Sequence, residues 1–77
     1  MTYKELQIKL LEIGLTIKDL ALLLGMNPNS ITNYKSTGLI PMNLAITISL
    51  IACLKQNGLD PETLINEVKR NHFNDLN

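Results

Sequence analysis

The 77-residue sequence predicts an all-α fold, a compact bundle of five short helices forming one domain over residues 1–77. Three observations carry that expectation. Aliphatic residues dominate the apolar set, with 15 Leu and nine Ile against only Tyr3, Tyr34 and Phe73 as aromatics. Apolar residues recur at the three- and four-residue spacings of a helical face. Helix-start signals (Thr-x-x-acid, Asn-Pro, Asp-Pro) alternate along the chain with glycine stops. A chain this short buries only about 60% of its unfolded surface, so the 45% apolar content suffices for one core.

The elements follow in order. The first helix, residues 2–13, starts at the Thr2/Glu5 capping box. It carries Leu6, Leu10 and Ile13 on one face, keeps Lys4, Glu5, Lys9 and Glu12 on the wet side, and stops at Gly14. The second, residues 16–24, repeats the Thr-x-x-acid cap with Thr16 and Asp19, sets Leu20, Leu23 and Leu24 inward, and ends at Gly25. Asn27 and Pro28 then open a third helix over residues 28–36. Ile31 and Tyr34 anchor it inward, while Asn29, Ser30, Thr32, Asn33, Lys35 and Ser36 give it a polar exterior without acid groups.

After Thr37 and Gly38 the chain turns, and Leu39, Ile40 and Pro41 approach the core. The fourth helix, residues 42–56, is apolar around most of its circumference and closes at Asn57 and Gly58. Asp60 and Pro61 start the fifth, residues 60–70, with Leu64, Ile65 and Val68 on its apolar face; a frayed tail is expected over residues 71–77. Met26 and Met42 are expected to fill gaps, and Cys53 to be a small buried residue of the fourth helix.

Composition excludes several classes of function. Seven Lys and Arg balance seven Asp and Glu, so no bulk positive field collects nucleic acid nonspecifically. Residues 1–40 carry Lys4, Lys9, Lys18 and Lys35 against Glu5, Glu12 and Asp19, a net of +1, and the remainder of the chain is correspondingly −1. The single Cys53 and single His72 supply neither a disulfide nor a zinc set, and a reducing cytoplasmic location is expected. No nucleophile–base pairing, carboxylate pair or Gly-rich phosphate loop stands out, so an enzyme is not expected, nor a cofactor, metal or small-molecule ligand. The apolar stretch Leu39 to Leu54 contains Pro41 and Asn43 and falls short of the roughly 20 residues that cross a bilayer.

The informative segment runs from Thr16 to Ser36. Two short helices joined only by Gly25, Met26 and the capping Asn27 cannot lie antiparallel side by side and must cross steeply, the spacing of a helix-turn-helix. Ala21 permits close helix approach and Gly25 permits a left-handed turn. Through Leu15, Leu20, Ala21, Leu24, Gly25, Ser30, Ile31 and Tyr34 the sequence resembles the phage repressor and Cro family, also called XRE-like or lambda-repressor-like. The five-helix plan extends the resemblance over roughly residues 2–68, with Gly38-Leu39-Ile40-Pro41 leading into the fourth helix as that family does.

The resemblance implies a double-stranded DNA partner, with the third helix in the major groove and its outward N-terminal residues on base edges. Here those are Asn29, Asn33, Ser30 and Thr32. An Asn amide pairs bidentately with adenine, and a Thr methyl can touch thymine. Phosphate contacts are expected to flank the helix at Thr16, Lys18, Asn27, Lys35, Ser36 and Thr37, with backbone N–H groups at the start of the second helix contributing. Ile17 stands where the family usually carries a polar phosphate-contacting residue, which leaves Lys18 as a partial substitute. The implied activity is transcriptional repression at a palindromic operator.

Neutral net charge makes a lone copy a weak binder, so two copies on two half-sites are expected. The apolar surplus of the fourth and fifth helices supplies the homodimer surface, at Ile46, Leu50, Leu54, Leu64 and Val68. The same low charge and oily surface leave a second reading open, in which the fold is an adaptor or antitoxin-like module that binds a protein partner through those two helices.

Overall fold

The computed structural model describes the backbone over residues 1–76 and side chains over residues 1–72. Five α-helices follow one another: α1 (Tyr3–Glu12), α2 (Ile17–Leu24), α3 (Pro28–Thr32), α4 (Met42–Gln56) and α5 (Pro61–Leu76), with a 3-10 turn at Asn33–Lys35 directly after α3. Among the described residues the only β pairing is an isolated antiparallel bridge between Thr2 and Leu39.

Local chemistry sets the helix ends. At α1 the Thr2 hydroxyl accepts the Glu5 N–H at 3.1 Å while the Glu5 carboxylate accepts the Thr2 N–H at 3.2 Å. The same reciprocal box holds α2, with Asp19 N–H to Thr16 Oγ1 at 3.0 Å and Thr16 N–H to Asp19 Oδ2 at 2.9 Å. These bonds satisfy helix amides that have no partner within the helix. Asp60 caps α5 by accepting from Glu62 N–H at 3.0 Å. Left-handed glycines end α2 (Gly25, φ 70) and follow α4 (Gly58, φ 75), a conformation that costs any residue with a Cβ.

The core draws on four of the five helices. Leu6 and Leu10 of α1, Leu20 and Ala21 of α2, Ile31 of α3, and Leu44, Ile48, Ile51 and Ala52 of α4 are buried together with Tyr3, Ile13 and Ile40. Packing runs α1 on α4, α2 on α3, and α5 against both α2 and α4. Two tethers fix the edges. Tyr3 N–H donates to Gly38 O at 2.9 Å, tying the start of α1 to the segment that follows the 3-10 turn, and Lys69 Nζ donates to Leu22 O at 3.4 Å, tying α5 to α2.

Several expectations need correction. The third helix is not continuous over residues 28–36: it is α-helical only to Thr32 and then tightens into the 3-10 turn. Its Ser and Thr hydroxyls, with that of Thr37 beyond it, are the cause, because they offer the backbone other partners. Thr32 Oγ1 donates to Asn29 O, Ser36 Oγ to Asn33 O and Thr37 Oγ1 to Tyr34 O. At the other end of the chain, α5 continues to Leu76 instead of fraying from residue 71, since neither Gly nor Pro follows Arg70 to stop it; Asn77 lies outside the described residues.

Cys53 is exposed, not buried, because the inward face of α4 is taken by Leu44, Ile48, Ile51 and Ala52. Met42 is exposed for the same reason and fills no gap. Leu39 also stays outside while Ile40 is buried, as the extended segment alternates its side chains. Leu23 and Leu24 are half-buried against the core rather than enclosed.

Candidate nucleic-acid interface on the third helix

Asn27 begins the surface. Its Oδ1 accepts the Asn29 N–H at 2.9 Å, which leaves its Nδ2 group free to donate outward. Pro28 at the first helical position fixes φ and needs no hydrogen-bond partner. Ile31 is fully buried and Tyr34 is half-buried against the core. Ile31 from α3 and Tyr34 from the 3-10 turn, three residues apart, hold the segment's inward edge to the core.

Opposite that edge, Asn29, Ser30, Thr32 and Asn33 are all exposed. Asn29 lies in the first turn of α3 and Asn33 opens the 3-10 turn that follows it. Thr32 spends its hydroxyl proton on Asn29 O at 3.3 Å, leaving its methyl and oxygen lone pairs outward. The four side chains expected to read bases are therefore all exposed along this short, uncharged segment.

The expected phosphate contacts divide by what each donor already does. Thr16 uses its oxygen as a cap acceptor and keeps its O–H free, Asn27 keeps its amide N–H groups, and Lys18 and Lys35 are exposed cations. Ser36 and Thr37 differ: both hydroxyl protons go to nearby carbonyls, Ser36 to Asn33 O at 2.9 Å and Thr37 to Tyr34 O at 3.2 Å or Leu39 O at 3.3 Å. A phosphate oxygen only accepts, so these two side chains reach it only by giving up a bond that shapes the turn.

Electrostatics separates the helix starts. At α2 the backbone and hydroxyl of Thr16, and to a lesser degree the Lys18 ammonium, hold the Asp19 carboxyl below its usual value, so a carboxylate occupies that N-terminus. Two of the amides expected to meet phosphate there are already taken by the capping box. Neither α3 nor α4 has an acid in its first turn. No Asp or Glu occurs anywhere from Leu20 to Leu59, where Lys35 and Lys55 are the only charges. That acid-free span was open to inspection in the sequence, and it leaves Lys35 as the single charge on α3 and its 3-10 turn.

Away from this face, Ile46 and Leu50 project from α4 at 54% and 61% exposure, and Leu64 and Val68 from α5 at 50% and 60%. Leu54, expected with them on a dimer surface, is half-buried. Ser49 lies between Ile46 and Leu50 on the stripe and returns its hydroxyl to Ala45 O at 2.8 Å, so that stretch of α4 offers little to water. No helix is long and apolar enough to cross a membrane among the described residues. No protein family, curated protein or solved structure matches the chain.

Proposed function

We propose that the protein is a sequence-specific double-stranded DNA-binding regulator, a repressor that occupies an operator, with α2 and α3 acting as a helix-turn-helix and α3 entering the major groove. The observation that carries this reading is the exposed amide and hydroxyl face of Asn29, Ser30, Thr32 and Asn33 beside Lys35, in a span of chain without acid. Asn side chains in that setting suit adenine, and the Thr32 methyl suits thymine. Thr16, Lys18, Asn27 and Lys35 hold the register on phosphates. Ser36 and Thr37 shape the turn that presents Lys35.

Few cations per copy make a single copy a weak binder, so two copies act on an inverted repeat. The pairing surface is the α4 stripe of Ile46 and Leu50. An isologous contact brings each residue near the axis against its own copy, and a stripe without charge suits that arrangement. Enrichment of duplex from a random-sequence pool, followed by titration of the enriched, fluorescently labelled duplex in rising salt, tests the reading. Binding at about 50 mM salt that weakens with a log–log slope of about −0.9 for each phosphate neutralised supports it. A folded protein that binds no duplex at that salt refutes it, and the second reading, a protein-binding module, then takes over on the strength of the exposed apolar residues of α4 and α5.

A further inference from the structure

A second surface shares no residue with α3. Between the end of α4 and the first turns of α5 lies a groove of about 370 Å³, lined by Leu54, Leu59, Asp60, Thr63, Leu64 and Glu67. The floor is built, not incidental. Gly58 takes the left-handed conformation after α4, Gly58 N–H donates to Lys55 O at 3.1 Å, and Leu59 N–H donates to Leu54 O at 2.9 Å. This is a Schellman helix end, which characteristically brings the side chains at the Leu54 and Leu59 positions together. Leu64 continues the apolar surface on α5, and Val68 extends it by one turn.

The rim is acidic. Asp60 accepts from Glu62 N–H at 3.0 Å and from the Thr63 hydroxyl at 2.6 Å, and these bonds, the Thr63 hydroxyl foremost, hold its carboxyl below the usual value so that it stays charged. Lys55 is the cation that faces Asp60, while Glu67 stands exposed one turn along the groove from Thr63. Two carboxylates thus border a floor of leucines.

We propose that this groove docks a basic amphipathic segment of a partner protein, with apolar residues three or four apart on Leu54, Leu59 and Leu64 and Lys or Arg beside Asp60 and Glu67. Charge complementarity selects that occupant. An isologous contact about this groove gathers four carboxylates, Asp60 and Glu67 of each copy, against one Lys55 per copy, an acidic excess that disfavours self-pairing here while leaving the uncharged α4 stripe suited to it. The proposal is independent of DNA binding, because the groove and the α3 face are separate surfaces.

The test uses the full chain and two synthetic helical peptides, one with Leu at i, i+4 and Lys on the flanks, the other with Glu replacing every Lys. Methyl NMR shifts locate binding, and fluorescence anisotropy measures it. The Lys peptide is expected to bind more tightly than the Glu peptide and to shift Leu54, Leu59, Leu64 and Val68. Glu67→Lys, an exposed substitution, is expected to weaken the Lys peptide by about threefold or more and to narrow the difference between the two peptides. Leu64→Ser, with folding checked by circular dichroism, is expected to weaken both. Equal affinity for the two peptides, shifts centred elsewhere, no binding, or an unchanged ratio in Glu67→Lys each overturn the proposal. So do groove shifts on concentrating the protein alone, which make a second copy the occupant.

Discussion

Ile31→Val probes the link between the core and the candidate interface. Ile31 is 0% exposed and is the one fully enclosed side chain of α3, lying within the cluster that includes Leu20 and Ala21. Removing one methyl group there loses its transfer energy and leaves a small void, about 1 kcal/mol for an Ile→Val change in a packed core. For a domain of this size 1 kcal/mol moves the thermal midpoint by about 4–8 °C. Leu22→Ala is the control, because Leu22 is 75% exposed and surface changes usually stay within about 0.5 kcal/mol. Circular dichroism melts of the wild type and both variants measure the difference. Since Ile31 faces inward, base preference is expected to be unchanged in the variant while overall affinity follows the folded fraction. A midpoint shift for Ile31→Val no larger than that for Leu22→Ala refutes the anchoring role, and an altered base preference refutes the separation of anchor from reading face.

Other expectations follow from the same geometry. Asn33→Ala costs about 1–3 kcal/mol of discrimination at one operator position, read by competition between duplexes that differ only there. Lys35→Gln weakens binding to all sequences and lowers the salt slope by about one, measured across a salt series. Gly25→Ala costs about 1–2 kcal/mol in urea unfolding through its left-handed backbone, because an added Cβ meets nothing within 4 Å. Glu5, Asp19 and Asp60 are held below their ordinary values of 4.5, 3.8 and 3.8, chiefly by bonds from Thr2, Thr16 and Thr63 respectively. Depressed folded-state values favour the folded form above those ordinary values, and the contribution is lost as pH falls through and below them. Thermal midpoints measured from pH 6 down to pH 2 should therefore fall on the acid side, with a shallower fall in Asp19→Asn.

Helix boundaries were legible where short-range chemistry sets them. The Thr2/Glu5 and Thr16/Asp19 boxes, Pro28 and Pro61 at helix starts, and the glycine stops each act within a few residues, so residue type and spacing are enough. The break in the third helix was harder to see. It arises from Thr32, Ser36 and Thr37 choosing backbone carbonyl partners, a competition that spacing does not reveal. The orientation of α4 was hidden for a different reason. Apolar residues go nearly all the way round it, so periodicity assigns no inward direction, and packing against α1 and α5 decides that Ile48 is enclosed while Cys53 is not. Of the candidate site, the exposed amides could be read from the sequence. The engaged hydroxyls of Ser36 and Thr37 could not.

The proposed regulator depends above all on base edges being read by the exposed amides of α3. Parallel selections from random duplex DNA, one with the wild-type chain and one with the Asn29→Ala/Asn33→Ala double variant, test it most directly. The wild type is expected to enrich an inverted repeat containing adenine and thymine, with half-site centres about 34–36 Å apart, and the folded double variant to lose the enrichment while keeping salt-sensitive binding. Enrichment of the same repeat by both proteins, or of none by a folded wild type, contradicts it.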